Sequence, residues 1–545
     1  MTGARPASGT PPVELTVNGR QVAVRGDVSL LAALREELGL TGAKDGCSPQ
    51  GQCGCCTVLV DGQPRVACVT PVRRVRGREV TTLEGLDEET TGRWADAFTA
   101  SGASQCGFCT PGIVVRLAGL EARDPAALAE RTAVDRALAA HLCRCTGWQT
   151  IREAAAAVAA GVDPSAERPR DPAAAARRAT IEGRSPQEVG PGVALGDGGF
   201  ADDTAPADAL VAVPDGAGGW AVGESLTEAR VRAGKVQGRR TTLDHAPPIE
   251  VPAGNWARTL RTSWTEPAYL ETDASWCSPG GEPATPLGNG GAFGAKRDSI
   301  VVAAARELAD LHGRPVRVLL GREDTVRLGA KRPPIAVGVD PAGRVAVRVA
   351  RTPGYAELLR AHLAELDVAD GATSPEVTVE EVDVVGPPTG TDVRAAGWAE
   401  AALVRAALTG AAAPVTSPEG ARAEVRLGPD GVDVALRCGE PLDEVVLRSY
   451  CIGAVHMALG WVCSEAIAVD PDGGVADLTI RSFGILRPAE MPLVRVRIEP
   501  DDGEAVNGSD AVFAATAAAA WAGLGFPPEL PAGVAALVGL VGPGS

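Results

Sequence analysis

The chain has no apolar run of the ~20 residues that a membrane-spanning helix needs. Its most apolar stretch, Ala511–Phe526, is alanine-rich and shorter. The first residues, MTGARPASGTPP, lack the apolar core of a secretory signal. A basic excess is missing too: the formal net charge is −17, which excludes a general nucleic-acid binder. Lysine is almost absent, 4 residues against 48 arginines, a mark of genome composition. No Ser-His-Asp order, phosphate-binding loop or dinucleotide fingerprint stands out, and there is no long internal repeat. The expectation is a cytoplasmic protein with no membrane and no nucleic-acid partner, and with residues 1–12 disordered. The 13 cysteines in 545 residues are too sparse for a disulfide scaffold. Most of them cluster, which points to metal ligation.

The composition, 45% hydrophobic and 22% charged, supports sizeable cores and excludes a wholly disordered chain. The length suits two to four domains. Residues 1–160 carry 17 basic and 17 acidic side chains, so the acidic excess lies in 161–545, with 35 and 52. Val13–Arg25 alternates around Asn18-Gly19, a hairpin signal. A helix is predicted at about Ser29–Leu38, then a cysteine-rich loop and a second hairpin at Asp61-Gly62. Residues 91–161 read as about four helices. Thr110-Pro111 and Asp124-Pro125 serve as N-cap and first-turn pairs, and Thr146–Gln149 as a capping box. Residues 162–185, poor in large apolar side chains, read as a linker. Mixed α/β structure follows, with turns at 340–343, 428–431 and 470–474. A helix at Ser299–Leu311 stops at Gly313, and a second linker is predicted at Gly410–Ala421. The domain expectation is 13–90, 91–161, 186–410 and 411–545.

The first cysteine group is GCSPQGQCGCC with a later AC: Cys47, Cys53, Cys55, Cys56 and Cys68. An iron–sulfur centre needs four converging thiolates, and glycines let backbone N–H groups approach the sulfides. The spacings are x5 from Cys47 to Cys53, x2 to Cys56 and x11 to Cys68, and Cys55 falls outside that register. The second group is Cys106, Cys109, Cys143 and Cys145, in QCGFC and CRC. Zinc or unligated buried thiols compete with this reading, more strongly for the second group.

Together, CGCC followed by QCGFCTPG and CRCTGW resembles the iron–sulfur part of the xanthine dehydrogenase/aldehyde oxidase family, the molybdenum hydroxylases, across residues 13–160. The resemblance implies an α+β multidomain protein. It would hold a β-grasp ferredoxin-like [2Fe–2S] domain, a four-helix-bundle [2Fe–2S] domain, and a shortened mixed α/β molybdopterin-binding-like region. It further implies that Cys47, Cys53, Cys56 and Cys68 hold one cluster and Cys106, Cys109, Cys143 and Cys145 the other. Gln105 and Cys145 would lie near a molybdenum-bound pterin. Residues 186–545 resemble a shortened molybdenum portion in GVALGDGGFADD (192–203), EPAYLET (266–272), GGAFGAK (290–296), GRPVRVLLGRED (313–324) and VRAAGWAEA (393–401). Phe293 and Gly294 would present backbone to that pterin, with Arg394 near it.

The departures are concentrated there. The segment that in the family carries an oxo-facing glutamine is reduced to a short loop between Trp276 and Gly288. Arg297 and Ala396 stand where the family holds substrate. The general base, a glutamate in the family, would be Asp510; the competing role is capping the helix that follows. Glu440 reads as a loop carboxylate, His456 as a satisfied core histidine, and Cys277, Cys438, Cys451 and Cys463 as buried small hydrophobes. No flavin domain is visible. The first functional expectation is an iron–sulfur oxidoreductase of the molybdenum hydroxylase type. The second is an electron-transfer or assembly subunit with a non-catalytic molybdopterin-like half. The expected partners are a FAD-binding subunit or a full-length molybdenum subunit, and assembly of several copies is compatible with either reading.

Overall fold

The structure, a computed structural model, describes residues 11–162, 170–234, 243–288, 292–364 and 376–542. The predicted disorder at 1–12 falls almost wholly outside these residues.

Strands β1 (Val13–Val17) and β2 (Arg20–Val24) close over Asn18 and Gly19, both at positive φ, 50° and 74°. This is the backbone a two-residue hairpin turn demands. β3 (Thr57–Val60) and β4 (Gln63–Val66) do the same over Asp61-Gly62. β5 (Glu79–Thr81) inserts parallel to β1 and antiparallel to β3, giving the order β2-β1-β5-β3-β4. The helix predicted at Ser29–Leu38 is capped by the Ser29 hydroxyl. It runs as an α-helix only over Leu30–Ala32 and widens to a π-turn at Ala33–Glu37.

Four helices follow: Glu88–Ser101, Thr110–Glu121, Arg131–Leu138 and Gln149–Ala160. Two predicted caps are corrected. Cys109, not Thr110, precedes the second helix, and Trp148 at φ 70° precedes the fourth. Gln149 does not close a capping box, because its amide exchanges two hydrogen bonds with the Val494 backbone, at 2.9 and 3.0 Å. A distant strand outcompetes the local motif.

Among the described residues the rest of the chain forms three sheets. β6 (Leu210–Pro214), β7 (Trp220–Gly223), β9 (Ala274–Cys277) and β10 (Val316–Leu319) order as β7-β6-β10-β9. Helices Leu226–Ala233 and Val301–His312 accompany them, the latter ended by Gly313 at φ 60°. β8 (Arg258–Thr262), β11 (Ile335–Val339), β12 (Val345–Ala350), β13 (Val377–Val382) and β18 (Glu529–Leu530) order as β13-β12-β11-β8-β18. β14 (Val415–Thr416), β15 (Arg422–Gly428), β16 (Gly431–Arg437) and β17 (Val494–Ile498) form the last sheet in chain order. The whole is a multidomain α+β protein.

The structure departs from the expected organisation in four places. The stretch 162–185 holds a helix, Pro172–Gly183, whose Arg178 and Glu182 are wholly buried. It is anchored by polar side chains, so its poverty in large apolar residues misled. The stretch 410–421 contains β14, paired with β15. β18 joins a sheet otherwise built before residue 410, so no clean division falls there. Helix Glu444–Cys463 is long and apolar enough to cross a membrane, yet 89% of its apolar window is buried inside the protein. It is the central post of the C-terminal half, and one continuous apolar core reaches from Val13 to Val541.

Candidate functional site

The loop between the Ala33–Glu37 turn and β3 carries Cys47, Cys53, Cys55 and Cys56, and the short turn Ala67–Val69 after β4 carries Cys68. Cys106 and Cys109 precede helix Thr110–Glu121, and Cys143 and Cys145 lie in the loop before helix Gln149–Ala160. Cys47 touches the Cys53 and Cys68 thiols, and Cys68 touches Cys56. The Gln50 N–H donates to Cys47 Sγ at 3.3 Å, and the Cys68 N–H to Cys56 Sγ at 3.4 Å. Cys109 pairs with Cys143, and Cys106 with Cys145 at 3.7 Å between sulfurs. Contact with the Cys109 thiol, aided by Thr146, pulls Cys143 down to about 6 despite burial. All eight are at most 9% exposed.

Among the described residues no three His, Cys, Asp or Glu side chains close on one point as a single ion would require. The sulfurs of the first group stand instead as a chain of contacts, Cys53–Cys47–Cys68–Cys56, and those of the second as two pairs. Soft thiolates, backbone N–H donors and an apolar surround suit a binuclear iron–sulfur centre.

Cys55 reaches only the Cys53 thiol of this group. Contact with Cys53 lowers it, but burial and neighbouring thiols outweigh that and push the thiol up. It faces Cys106 and Cys109 as well as its own group. The two groups are closely joined. The Leu142 N–H donates to the Cys53 carbonyl at 2.9 Å, and a Cβ on Gly112 would overlap the Gly54 carbonyl oxygen.

Arg144, between two cysteines of the second group, forms a bidentate pair with buried Glu465, with Nη2 to Oε2 at 2.8 Å. Its Nε donates to the Pro267 carbonyl at 2.8 Å. Gln105 Nε2 donates to the Cys145 carbonyl at 3.0 Å and to Ser449 Oγ at 2.9 Å. A Cβ on Gly453 would overlap that same Cys145 carbonyl, so the backbone of helix Glu444–Cys463 lies directly on it.

The molybdenum-side residues also meet. Phe293 (φ 50°) and Gly294 (φ 97°) turn sharply beside Arg394, whose guanidinium stacks 4.6 Å from the Phe293 ring. Arg394 Nε donates to Asp510 Oδ1 at 2.8 Å, and Nη2 to Ser509 Oγ. Arg184 pairs with the other Asp510 oxygen. Asp510 therefore neither caps its helix nor stands free. The Asn507 side chain accepts the Asp510 N–H at 3.0 Å, and Glu182 accepts the N–H groups of Gly508 and Ser509 at 3.1 and 2.8 Å. Arg297 is half exposed beside Asp392, and Ala396 is buried.

The cavity among Phe293, Arg394, Met457, Trp461 and Phe513 measures about 30 Å³. Another, against Cys106, Cys109, Cys145 and Glu271, measures about 10 Å³. Small-molecule sites measure ~300–1,000 Å³. Among the described residues a pterin does not fit: neither cavity has room for it, Gln105 is engaged by the Cys145 carbonyl and Ser449, and Arg394 by Asp510 and Ser509. Sequence reading missed Glu182, Arg184 and Glu465. No local pattern marks them, because each acts on a residue more than 300 positions away.

Residues 82–156 match the [2Fe-2S] binding domain family. A probable xanthine dehydrogenase component of Bacillus subtilis is 38% identical over 143 residues, 26% of this chain and 81% of that one. The xanthine dehydrogenase iron-sulfur-binding subunit of Escherichia coli O157:H7 is 41% identical over 150 residues, 26% of this chain and 91% of that one. The aldehyde oxidoreductase of Megalodesulfovibrio gigas is 41% identical over 162 residues, 28% of this chain but only 18% of that one. In three dimensions the aldehyde oxidoreductase from Desulfovibrio desulfuricans superposes with a TM-score of 0.64 at 15% identity, covering 98% of this chain and 100% of that chain. That likeness extends the shared fold beyond the iron–sulfur part. The cysteine spacing, the sequence match over about a quarter of the chain and the fold of the remainder agree: the chain belongs to the xanthine dehydrogenase/aldehyde oxidase family.

Proposed function

We propose that this chain is an electron-transfer oxidoreductase with two [2Fe–2S] clusters. Cys47, Cys53, Cys56 and Cys68 would hold one, and Cys106, Cys109, Cys143 and Cys145 the other. The C-terminal half is a non-catalytic scaffold. When bound, such a cluster accepts and returns one electron. The chain's own part is to supply the thiolates, exclude water and hold the two groups at fixed separation through the Leu142–Cys53 hydrogen bond and the Gly54–Gly112 contact. The Arg144–Glu465 pair seals the second group from the C-terminal side.

One observation favours this over a molybdenum hydroxylase: Asp510 is clamped between Arg184 and Arg394. A general base must reach the proton it removes and be free to accept it. Here each oxygen of the carboxylate has a cationic partner, Arg394 on one and Arg184 on the other. The relatives named as subunits support a partner chain; the partner we propose is a FAD-binding subunit or a full-length molybdenum subunit. Metal analysis with EPR tests the reading. About four irons per chain, two distinct reduced-cluster signals and little molybdenum are expected. Stoichiometric molybdenum, with turnover lost in Asp510→Ala, would restore the hydroxylase.

A further inference from the structure

Two cavities lie between the ferredoxin-like unit and the Leu226–Ala233 helix. One measures about 310 Å³ and has Cys68 in its wall. The other measures about 440 Å³ and shares Val28, Ala32, Arg35, Glu36 and Thr227 with it. Both fall within the size of small-molecule sites. The first is apolar on two sides, with Val28, Leu31 and Ala32 facing Leu226 and Val231, and Pro49 beside Cys68.

We propose that this cavity binds an uncharged quinone, which takes electrons from the centre held by Cys68. The proposal rests on reading Cys68 as a cluster ligand, and its chemistry narrows the occupant. A [2Fe–2S] centre releases one electron at a time, so a hydride acceptor such as a nicotinamide is unsuited. A flavin nucleotide needs cationic side chains for its phosphate. Here Arg35 is committed to Asp202 and Asp203 at 2.7 and 2.8 Å, Arg230 to Asp45 at 2.9 Å, and Arg317 to Glu36 at 2.7 Å. Carboxylates outnumber guanidinia three to two around the first cavity and five to three around the second. An anion would meet that excess; a neutral aromatic ring would meet the apolar walls.

Two successive electrons from the Cys68 centre and two protons from solvent convert quinone to hydroquinone. Each electron leaves the Cys68 centre oxidised by one unit, and the second cluster re-reduces it, so one fully reduced chain carries the two electrons that one quinone takes; a partner subunit then refills both centres.

The test uses the full chain, anaerobically reduced and freed of dithionite, then mixed with menadione. Thr227→Trp and Val231→Trp fill the cavity from a half-buried wall and from an exposed edge. Both should slow reoxidation by menadione roughly tenfold and leave reoxidation by ferricyanide unchanged. Equal menadione rates in all three proteins would overturn the proposal. Equilibrium dialysis of menadione against the oxidised proteins gives an answer independent of electron flow. One equivalent bound by the parent and none by Thr227→Trp is expected, and binding retained in both variants would overturn it. Iron content and the first-cluster EPR signal are measured on the same samples. Their absence in the parent would refute the iron–sulfur reading, while dialysis still decides the cavity.

Discussion

Cys55 and Cys56 are neighbours, both buried, and only one is expected to carry iron. Cys56 lies against Cys68 and keeps the x2 and x11 spacings; Cys55 faces the second group. Cys56→Ala should lose about half the iron and one EPR signal, whereas Cys55→Ala should keep both. Equal loss would mean the register is wrong. Arg394 and Asp510 make a second residue-scale prediction. Breaking a buried pair from one side costs ~3–5 kcal/mol, so Arg394→Met alone should lower the thermal midpoint sharply. The Arg394→Met/Asp510→Leu double variant should lose less than the two single changes together. Additive losses would mean the pair is not coupled. The cysteines were legible in the sequence because their spacing is local. Asp510 was legible only as a carboxylate at a helix start. That Asn507 would take the cap and two arginines the carboxylate depended on Arg184 and Arg394, which no spacing reveals.

Helix Glu444–Cys463 shows what binary patterning hides. Arg448 and His456 interrupt its apolar run, so the sequence pointed to Ala511–Phe526 instead. Gly453 sits where this helix meets the Cys145 carbonyl. Gly453→Ala should therefore cost on the order of 1–3 kcal/mol by overpacking and alter the EPR line shape of one cluster. Gly92→Ala, on an exposed helix face with open space beside it, should be neutral or stabilising by ~0.4–1 kcal/mol. Thermal midpoints and EPR of both variants check this. His456 makes the helix acid-sensitive. Burial lowers it to about 4, and its Nε2 bonds to the Leu486 carbonyl at 2.9 Å. The native state keeps it neutral while the unfolded chain takes up a proton from about pH 6.5 downward. Its contribution to stability is thus complete above pH 6.5 and falls by about 1.4 kcal/mol per pH unit towards pH 4. Urea midpoints at pH 7 and pH 5 should fall less steeply in His456→Gln than in the parent; an unchanged difference would refute this. Helix Pro172–Gly183 taught the converse: alanine and arginine looked like a linker, but Arg178 donates to the carbonyls of Glu440, Pro441 and Val506.

At the scale of the whole molecule, charge balance suggested two separable parts, and the secondary structure of the first was readable. The packing between them was not. Trp148 Nε1 bonds to the Leu486 carbonyl, Gln149 to Val494, and Arg144 to Glu465. A chain ending near residue 162 uncovers that entire face. It should hold iron after reconstitution, and should co-elute with a separately made 170–545 chain added in trans. Failure to associate would mean that the shared core forms only when the halves are covalently joined. These long-range contacts also impose an order on biogenesis. Arg144 and Glu465 lie 321 residues apart. At the ~5–20 residues per second of translation, the cysteine-bearing part leaves the ribosome about 15–60 s before its covering helix exists. In the finished protein the thiols are almost wholly buried. The interval during synthesis is therefore the natural window for iron delivery, and chains finished without iron would meet a closed door.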